Sequence, residues 1–194
     1  MIQILEKYFE KNFELRCLLN NKEAQIIEIV GEEDVGKSSL AIWISKQLKK
    51  DSIVFYQSFD RKITSSYLTD KSFTYILSLE AGVSRLSTCL FSIYKEIDII
   101  IIDGFPFCDE PKKLLDILQV IKERRSDIKI LLVNQLRYSI QKKKDVSFYE
   151  KYVNRITDYR IFLSKKNDYV SITRTKKVSD EKLKERYQQL LDAL

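Results

Sequence analysis

Gly31-Glu32-Glu33-Asp34-Val35-Gly36-Lys37-Ser38-Ser39 matches the phosphate-binding pattern G-x-x-x-x-G-K-[ST], and its flanks decide how it is read. The apolar run Ile26-Ile27-Glu28-Ile29-Val30 precedes it, and the helical pattern Leu40-Ala41-Ile42-Trp43-Ile44-Ser45 follows. Strand, loop and helix in that order make the match strong rather than a chance glycine turn. The chemistry follows from the backbone. Two glycines let several N–H groups converge on a phosphate chain, and the helix N-terminus adds partial positive charge. All nine residues, Gly31, Glu32, Glu33, Asp34, Val35, Gly36, Lys37, Ser38 and Ser39, therefore line a candidate nucleotide site. Lys37 would reach the β- and γ-phosphates and Ser38 would ligate Mg²⁺. The ligand implied is ATP with Mg²⁺.

Working outward, apolar runs and helical patterns alternate. The sequence predicts strands at 25–30, 52–58, 72–78, 97–102 and 128–134, with helices at 37–49, 82–95 and 110–125. Short, nearly continuous apolar strands separated by helices predict an α/β fold, with a mostly parallel sheet flanked by helices. Two β-prone runs, 156–164 and 168–175, are separated by Lys165-Lys166-Asn167 and predict a C-terminal antiparallel hairpin. Residues 1–20 have amphipathic helical spacing. Ser179 offers an N-cap for a closing helix over 179–194, whose stripe of Leu183, Tyr187, Leu190, Leu191 and Leu194 could dock on this chain or on a partner.

The run Ile97-Asp98-Ile99-Ile100-Ile101-Ile102-Asp103 ends in an acid. A carboxylate at the C-terminal end of a buried strand beside the phosphate loop is a metal-holding group, so Asp103 joins Ser38 at the metal; Asp98 is at the wrong end. A group must also orient the attacking water. The chain contains no histidine, so this task falls to a carboxylate, and Asp60 in Ser58-Phe59-Asp60 is the candidate.

Composition bounds the rest. With 194 residues, 44 % of them apolar, and only 4 Gly and 2 Pro, the chain suits a single domain over 1–194 without a linker. The charged N-terminal stretch reads neither as a signal peptide nor as a membrane span, which implies a protein of the cytoplasm, or of the nucleus in a eukaryote. Cys17, Cys89 and Cys108 lack ligand spacing and sit among apolar residues, as reduced core thiols do. Net charge is +6, but twelve Lys or Arg against four Asp or Glu between Arg137 and Lys177 leave the remainder slightly acidic. Such a basic stretch is either a polyanion-binding face or an ordinary solvated surface.

Over roughly residues 12 to 177, these pieces resemble the ATPase core of the RecA recombinase family and its eukaryotic and archaeal relatives. The likeness rests on the lead into the phosphate loop, on the order of elements from Ser72 to Asp103, and above all on Lys129-Ile130-Leu131-Leu132-Val133-Asn134-Gln135-Leu136-Arg137. The last resembles that family's strand ending in Asn-Gln-hydrophobic-Arg. The resemblance implies that Gln135 contacts the γ-phosphate and couples it to a DNA-binding loop at 138–152. Arg137, Lys142, Lys143 and Lys144 would track phosphates there, and Phe148 and Tyr149 would stack on bases. It further implies that Arg174 and Lys176, two apart on a strand, act as basic fingers on ATP held by an adjacent subunit. The function implied is a DNA-dependent ATPase of homologous recombination or DNA repair, self-assembling or docking on a RecA-like partner subunit, with single-stranded DNA as the preferred ligand.

Departures from the family pattern keep other readings open. Asp60 stands where the family has Glu, and the 138–152 stretch lacks the usual glycines. The first DNA loop is reduced to Gly104-Phe105-Pro106-Phe107-Cys108, and no separate accessory domains are seen. An ATP-binding paralog or mediator subunit with little hydrolysis of its own is one alternative. A ring-type helicase or helicase loader is another, and a small-molecule P-loop kinase a more remote one.

Overall fold

Strand β1 (Ile26–Gly31) is buried at all six positions, because it runs between β5 and β7, parallel to both. The computed structural model describes Leu15, Leu18, Asn21, residues 24–48, 52–60, 74–78 and 82–164, and the backbone of 169–174. After β1 come α1 (Lys37–Leu48), β2 (Ile53–Ser58), β3 (Thr74–Ser78), α2 (Val83–Ile93), β4 (Ile99–Asp103), a 3₁₀ turn (Phe105–Phe107) and α3 (Pro111–Arg124). The order continues with β5 (Lys129–Ser139), β6 (Lys144–Ser147), α4 (Glu150–Ile156), β7 (Tyr159–Ser164) and β8 (Tyr169–Arg174).

The sheet order is β3-β2-β4-β5-β1-β7-β8, with β6 pairing on β5. Every pair along β3-β2-β4-β5-β1-β7 is parallel, and β8 returns antiparallel to β7. This is the α/β architecture that the apolar runs predict, including the closing hairpin. Alternation along the strands splits the core in two. Ile27, Ile29, Ile99, Ile101, Leu131 and Val133 pack with α1, Leu15 and Leu18. Ile26, Ile100, Ile102, Ile130 and Leu132 face α2, α3 and α4. Leu15 and Leu18 are helical and buried; the rest of the expected helix at 1–20 and the expected helix at 179–194 lie outside the described residues.

The segment expected as a loop at 138–152 is folded. Strand β5 runs five residues past the predicted end at 134, turns at 140–143 and returns as the antiparallel β6, with Leu136 opposite Ser147 and Ser139 opposite Lys144. Lys143 takes the left-handed turn conformation at φ 51°. The short helix α4 follows, burying Val153 and Ile156. Its N-cap is Tyr149, with no side-chain cap hydrogen bond, so the usual Ser, Thr, Asp or Asn start signal is missing. Ile156 thus ends a helix rather than opening a strand. Asp158 then accepts from the backbone N–H of Gln25 (3.1 Å) and Ile26 (3.0 Å), tying the starts of β7 and β1 together.

Candidate nucleotide and metal site

The carboxyl ends of the parallel strands share one edge, the place where open α/β sheets take ligands. Register puts Gly31 beside Gln135 and Ser58 beside Asp103, which gathers the P-loop, the β2 end carrying Asp60, Asp103 and Gln135 at that edge.

The P-loop backbone needs its glycines. Gly36 has φ 93° and Asp34 φ 54°, both left-handed, the conformation glycine adopts freely and Asp tolerates better than most residues. A Cβ on Gly31 would stand 2.5 Å from the Leu163 carbonyl oxygen on β7, a backbone atom with no room to move. Lys37 is buried in the first turn of α1 and its Nζ donates to the Glu32 carbonyl. The lysine therefore lies folded over the loop that would cradle phosphates.

Ser38, Asp103 and Tyr56 form a cluster below that loop. Ser38 and Asp103 are hydrogen-bonded through their side chains, and the Tyr56 hydroxyl donates to Asp103 Oδ2 at 2.5 Å. Tyr56 also has a side-chain hydrogen bond with Ser38. The other carboxylate oxygen, Oδ1, accepts the Gly104 N–H at 2.9 Å. Burial pushes the Asp103 carboxyl above its usual range, the bonds from Tyr56 and Ser38 pull it back, and the Asp60 charge pushes it up again. Burial, then the Asp103 charge, drive the Tyr56 phenol far upward, so Tyr56 stays a hydrogen-bond donor. A hydroxyl and a carboxylate in contact at a helix N-terminus are the donor set that a phosphate-bound Mg²⁺ requires, and these residues fit one. Among the described residues no group of three His, Cys, Asp or Glu could hold a metal, as expected where phosphate and water complete the coordination.

Asp60 lies against this cluster. Its Oδ1 accepts from the Ser58 hydroxyl at 2.8 Å, and its backbone nitrogen would stand 2.9 Å from a Cβ on Gly104, which has φ 70°. Asp98 is at the opposite end of β4, where its Oδ2 accepts from the Ile53 N–H at 3.0 Å. Gln135 is half-buried beside Gly31. Its backbone N–H is held by Asn134 Oδ1 at 2.8 Å, and its carbonyl accepts from the Phe148 N–H at 3.1 Å.

The expected basic fingers are elsewhere. The Arg174 backbone pairs with Tyr159, which pairs with Ile27. This places it at the end of the sheet remote from its own P-loop. Any role at a nucleotide would have to be on another subunit's. Lys176 lies outside the described residues.

The candidate DNA residues divide. Arg137, Lys142, Lys143 and Lys144 are exposed on the β5–β6 hairpin, although Lys142 pairs with Glu150. Phe148 and Tyr149 are half-buried at its base. The Arg137 guanidinium lies 5.7 Å from the Phe148 ring centroid, and Tyr149 meets Phe105 edge-on at 5.8 Å. The large apolar side chains that do protrude are Tyr138, 64 % exposed, and Ile140, 84 % exposed. Sequence reasoning passed over both. Their signal was an apolar residue at every second position past the predicted strand end, Leu136, Tyr138 and Ile140. Cys108 is buried and its thiol is pushed up to about 12 by burial; Cys89 is a half-buried free thiol.

The P-loop at the carboxyl edge of this strand order defines a RecA-like α/β ATPase fold. Among solved structures, the chain is similar to a RadB recombinase, with a TM-score of 0.57 and 15 % identity over 79 % of this chain and 82 % of that one. It is also similar to the ATPase domain of a helicase, with a TM-score of 0.52 and 12 % identity over 81 % of this chain and 78 % of that one. No protein-family model matches the sequence, and no curated protein does. Among the described residues no helix is long and apolar enough to cross a membrane.

Proposed function

We propose that residues 1–194 form one RecA-like unit that binds ATP with Mg²⁺ and hydrolyses it in response to DNA, acting in homologous recombination or repair. The observation that supports this best is the convergence of Lys37, Ser38, Asp103, Asp60 and Gln135 on one sheet edge, from whose strand β5 a basic hairpin continues. Lys37 and the P-loop N–H groups bind the phosphates, and Gln135 senses the terminal one. Ser38 and Asp103 hold the magnesium ion, which when bound offsets charge on the phosphate oxygens. Asp60 orients the attacking water, and the hairpin takes single-stranded DNA. Arg174 and Lys176 serve the nucleotide of a neighbouring subunit, so turnover depends on assembly. The test is ATP turnover with and without single-stranded DNA, alongside Lys37→Ala. DNA stimulation that is lost in the variant supports the reading, and turnover indifferent to DNA refutes it.

A second reading is favoured by one observation. Asp60 is a methylene shorter than glutamate and already accepts the Ser58 hydroxyl. It therefore suits a site that binds ATP and seldom cleaves it, as an accessory subunit docked on a RecA-like partner would. Tight ATP binding with no turnover in either condition would select this reading.

A further inference from the structure

Tyr56 belongs to no motif; in the sequence it is an aromatic in a buried strand. It points into the metal site all the same. Its side chain is fully buried, and its hydroxyl is hydrogen-bonded to both Asp103 and Ser38. Asp103 is thereby held at both oxygens, Oδ2 by the Tyr56 hydroxyl and Oδ1 by the Gly104 N–H at 2.9 Å. A carboxylate with a donor on each oxygen cannot swing. Each oxygen keeps capacity to accept from a metal-bound water, so the arrangement favours outer-sphere holding of the cation over direct ligation. Parallel pairing of β2 with β4 sets Tyr56 beside Ile101, two residues before Asp103, and the length of a tyrosine spans that offset. Phenylalanine at this position would fill the same core and leave Asp103 Oδ2 without this donor.

We propose that Tyr56 is a positioning residue for the metal. By fixing the Asp103 carboxylate and the Ser38 hydroxyl from β2, it sets the Mg²⁺ affinity of the nucleotide-bound protein. This rests on reading Ser38 and Asp103 as the metal-holding pair.

The test uses the full chain, a fluorescent ATP analogue and Mg²⁺ titration. In Tyr56→Phe the Mg²⁺ concentration for half-maximal effect on nucleotide binding should rise about 10–100-fold, the usual cost of losing a group that orients a metal-holding side chain. Nucleotide affinity in EDTA should be unchanged. The shift should largely vanish when Tyr56→Phe is made in an Asp103→Asn background, because the phenol acts through that carboxylate. An unshifted Mg²⁺ midpoint, or equal loss of affinity with and without Mg²⁺, would overturn the proposal and leave Tyr56 as packing. Should Tyr56→Phe not fold, 3-fluorotyrosine at position 56 keeps the hydroxyl; its fluorine resonance should move when Mg²⁺ is added to the ATP complex, and a stationary resonance overturns the proposal. Wild-type binding indifferent to Mg²⁺ would instead remove the metal-site reading itself, and this inference with it.

Discussion

Arg160 on β7 and Glu28 on β1 stand opposite one another as a buried ion pair, with Arg160 Nε 2.5 Å from Glu28 Oε2. Glu28 Oε1 accepts from Asn134 Nδ2 at 2.8 Å, and the same amide group donates to the Phe148 carbonyl at 2.9 Å. Arg160 Nη2 donates to Ser147 Oγ at 3.1 Å and to Asn154 Oδ1 at 2.5 Å. One buried pair thus joins the P-loop strand to β5, to the base of the hairpin and to α4. Arg160→Met should cost roughly 3–5 kcal/mol in urea unfolding, because it strands a carboxylate in the core. Adding Glu28→Met should recover part of that loss, since the remaining cost is then the polar groups left by Asn134, Ser147 and Asn154.

Asp103 gives a pH-dependent prediction. Burial raises its folded-state value above the ordinary 3.8, so the folded protein binds this proton more tightly than the unfolded chain. The associated stability is fully present below 3.8 and is lost as pH rises through the raised value. At neutral pH, without nucleotide, the charged carboxylate is a cost that Asp103→Asn removes. The variant should melt a few degrees higher than wild type at neutral pH, with the gap closing as pH falls toward the ordinary aspartate range. A variant melting below wild type at neutral pH would refute this account.

The parts of this molecule legible in the sequence are those with a short-range signature. The P-loop declares itself because its glycines and lysine are contiguous, and β1, β4 and the core of β5 because parallel strands buried on both faces are nearly continuous apolar runs. Asp103 was legible as the last residue of such a run. The hairpin was not. The strand pattern beyond Asn134 is mixed with charge, and the turn at 140–143 uses Lys143 rather than glycine at its left-handed position. Helix α4 begins without a capping side chain. Tyr56 and the Glu28–Arg160 pair escape for another reason. Their partners are 47 and 132 residues away, and only the register of the sheet brings them together.

Gly104 should separate catalysis from binding. At φ 70° an alanine pays about 1–2 kcal/mol for the left-handed backbone, and its Cβ, 2.9 Å from the Asp60 nitrogen, pushes Asp60 aside. Gly104→Ala should therefore lower kcat on the order of 100-fold and leave ATP affinity near wild type, because Gly31–Ser39 is untouched. Stopped-flow nucleotide binding beside steady-state turnover checks both halves. Proportional loss of the two would mean that Asp60 has no separate catalytic part.

The hairpin divides its aromatic residues into two kinds, and a single set of variants distinguishes them. Tyr138 and Ile140 project into solvent, so Tyr138→Ala with Ile140→Ala should weaken binding of single-stranded DNA and leave the melting temperature unchanged. Stacking of one base on an aromatic ring is worth about 1–3 kcal/mol, or roughly 5–150-fold in affinity. Tyr149 packs on Phe105 and the core, so Tyr149→Ala should lower stability by about 3 kcal/mol and alter DNA affinity only through unfolding. Replacing Lys142, Lys143 and Lys144 by alanine should flatten the plot of log affinity against log salt by about 0.7 for each phosphate no longer neutralised. The Lys142–Glu150 pair makes Lys142 the smallest contributor of the three. An unchanged salt slope in the triple variant would remove the hairpin from the DNA interface, whatever the alanine at Tyr138 does.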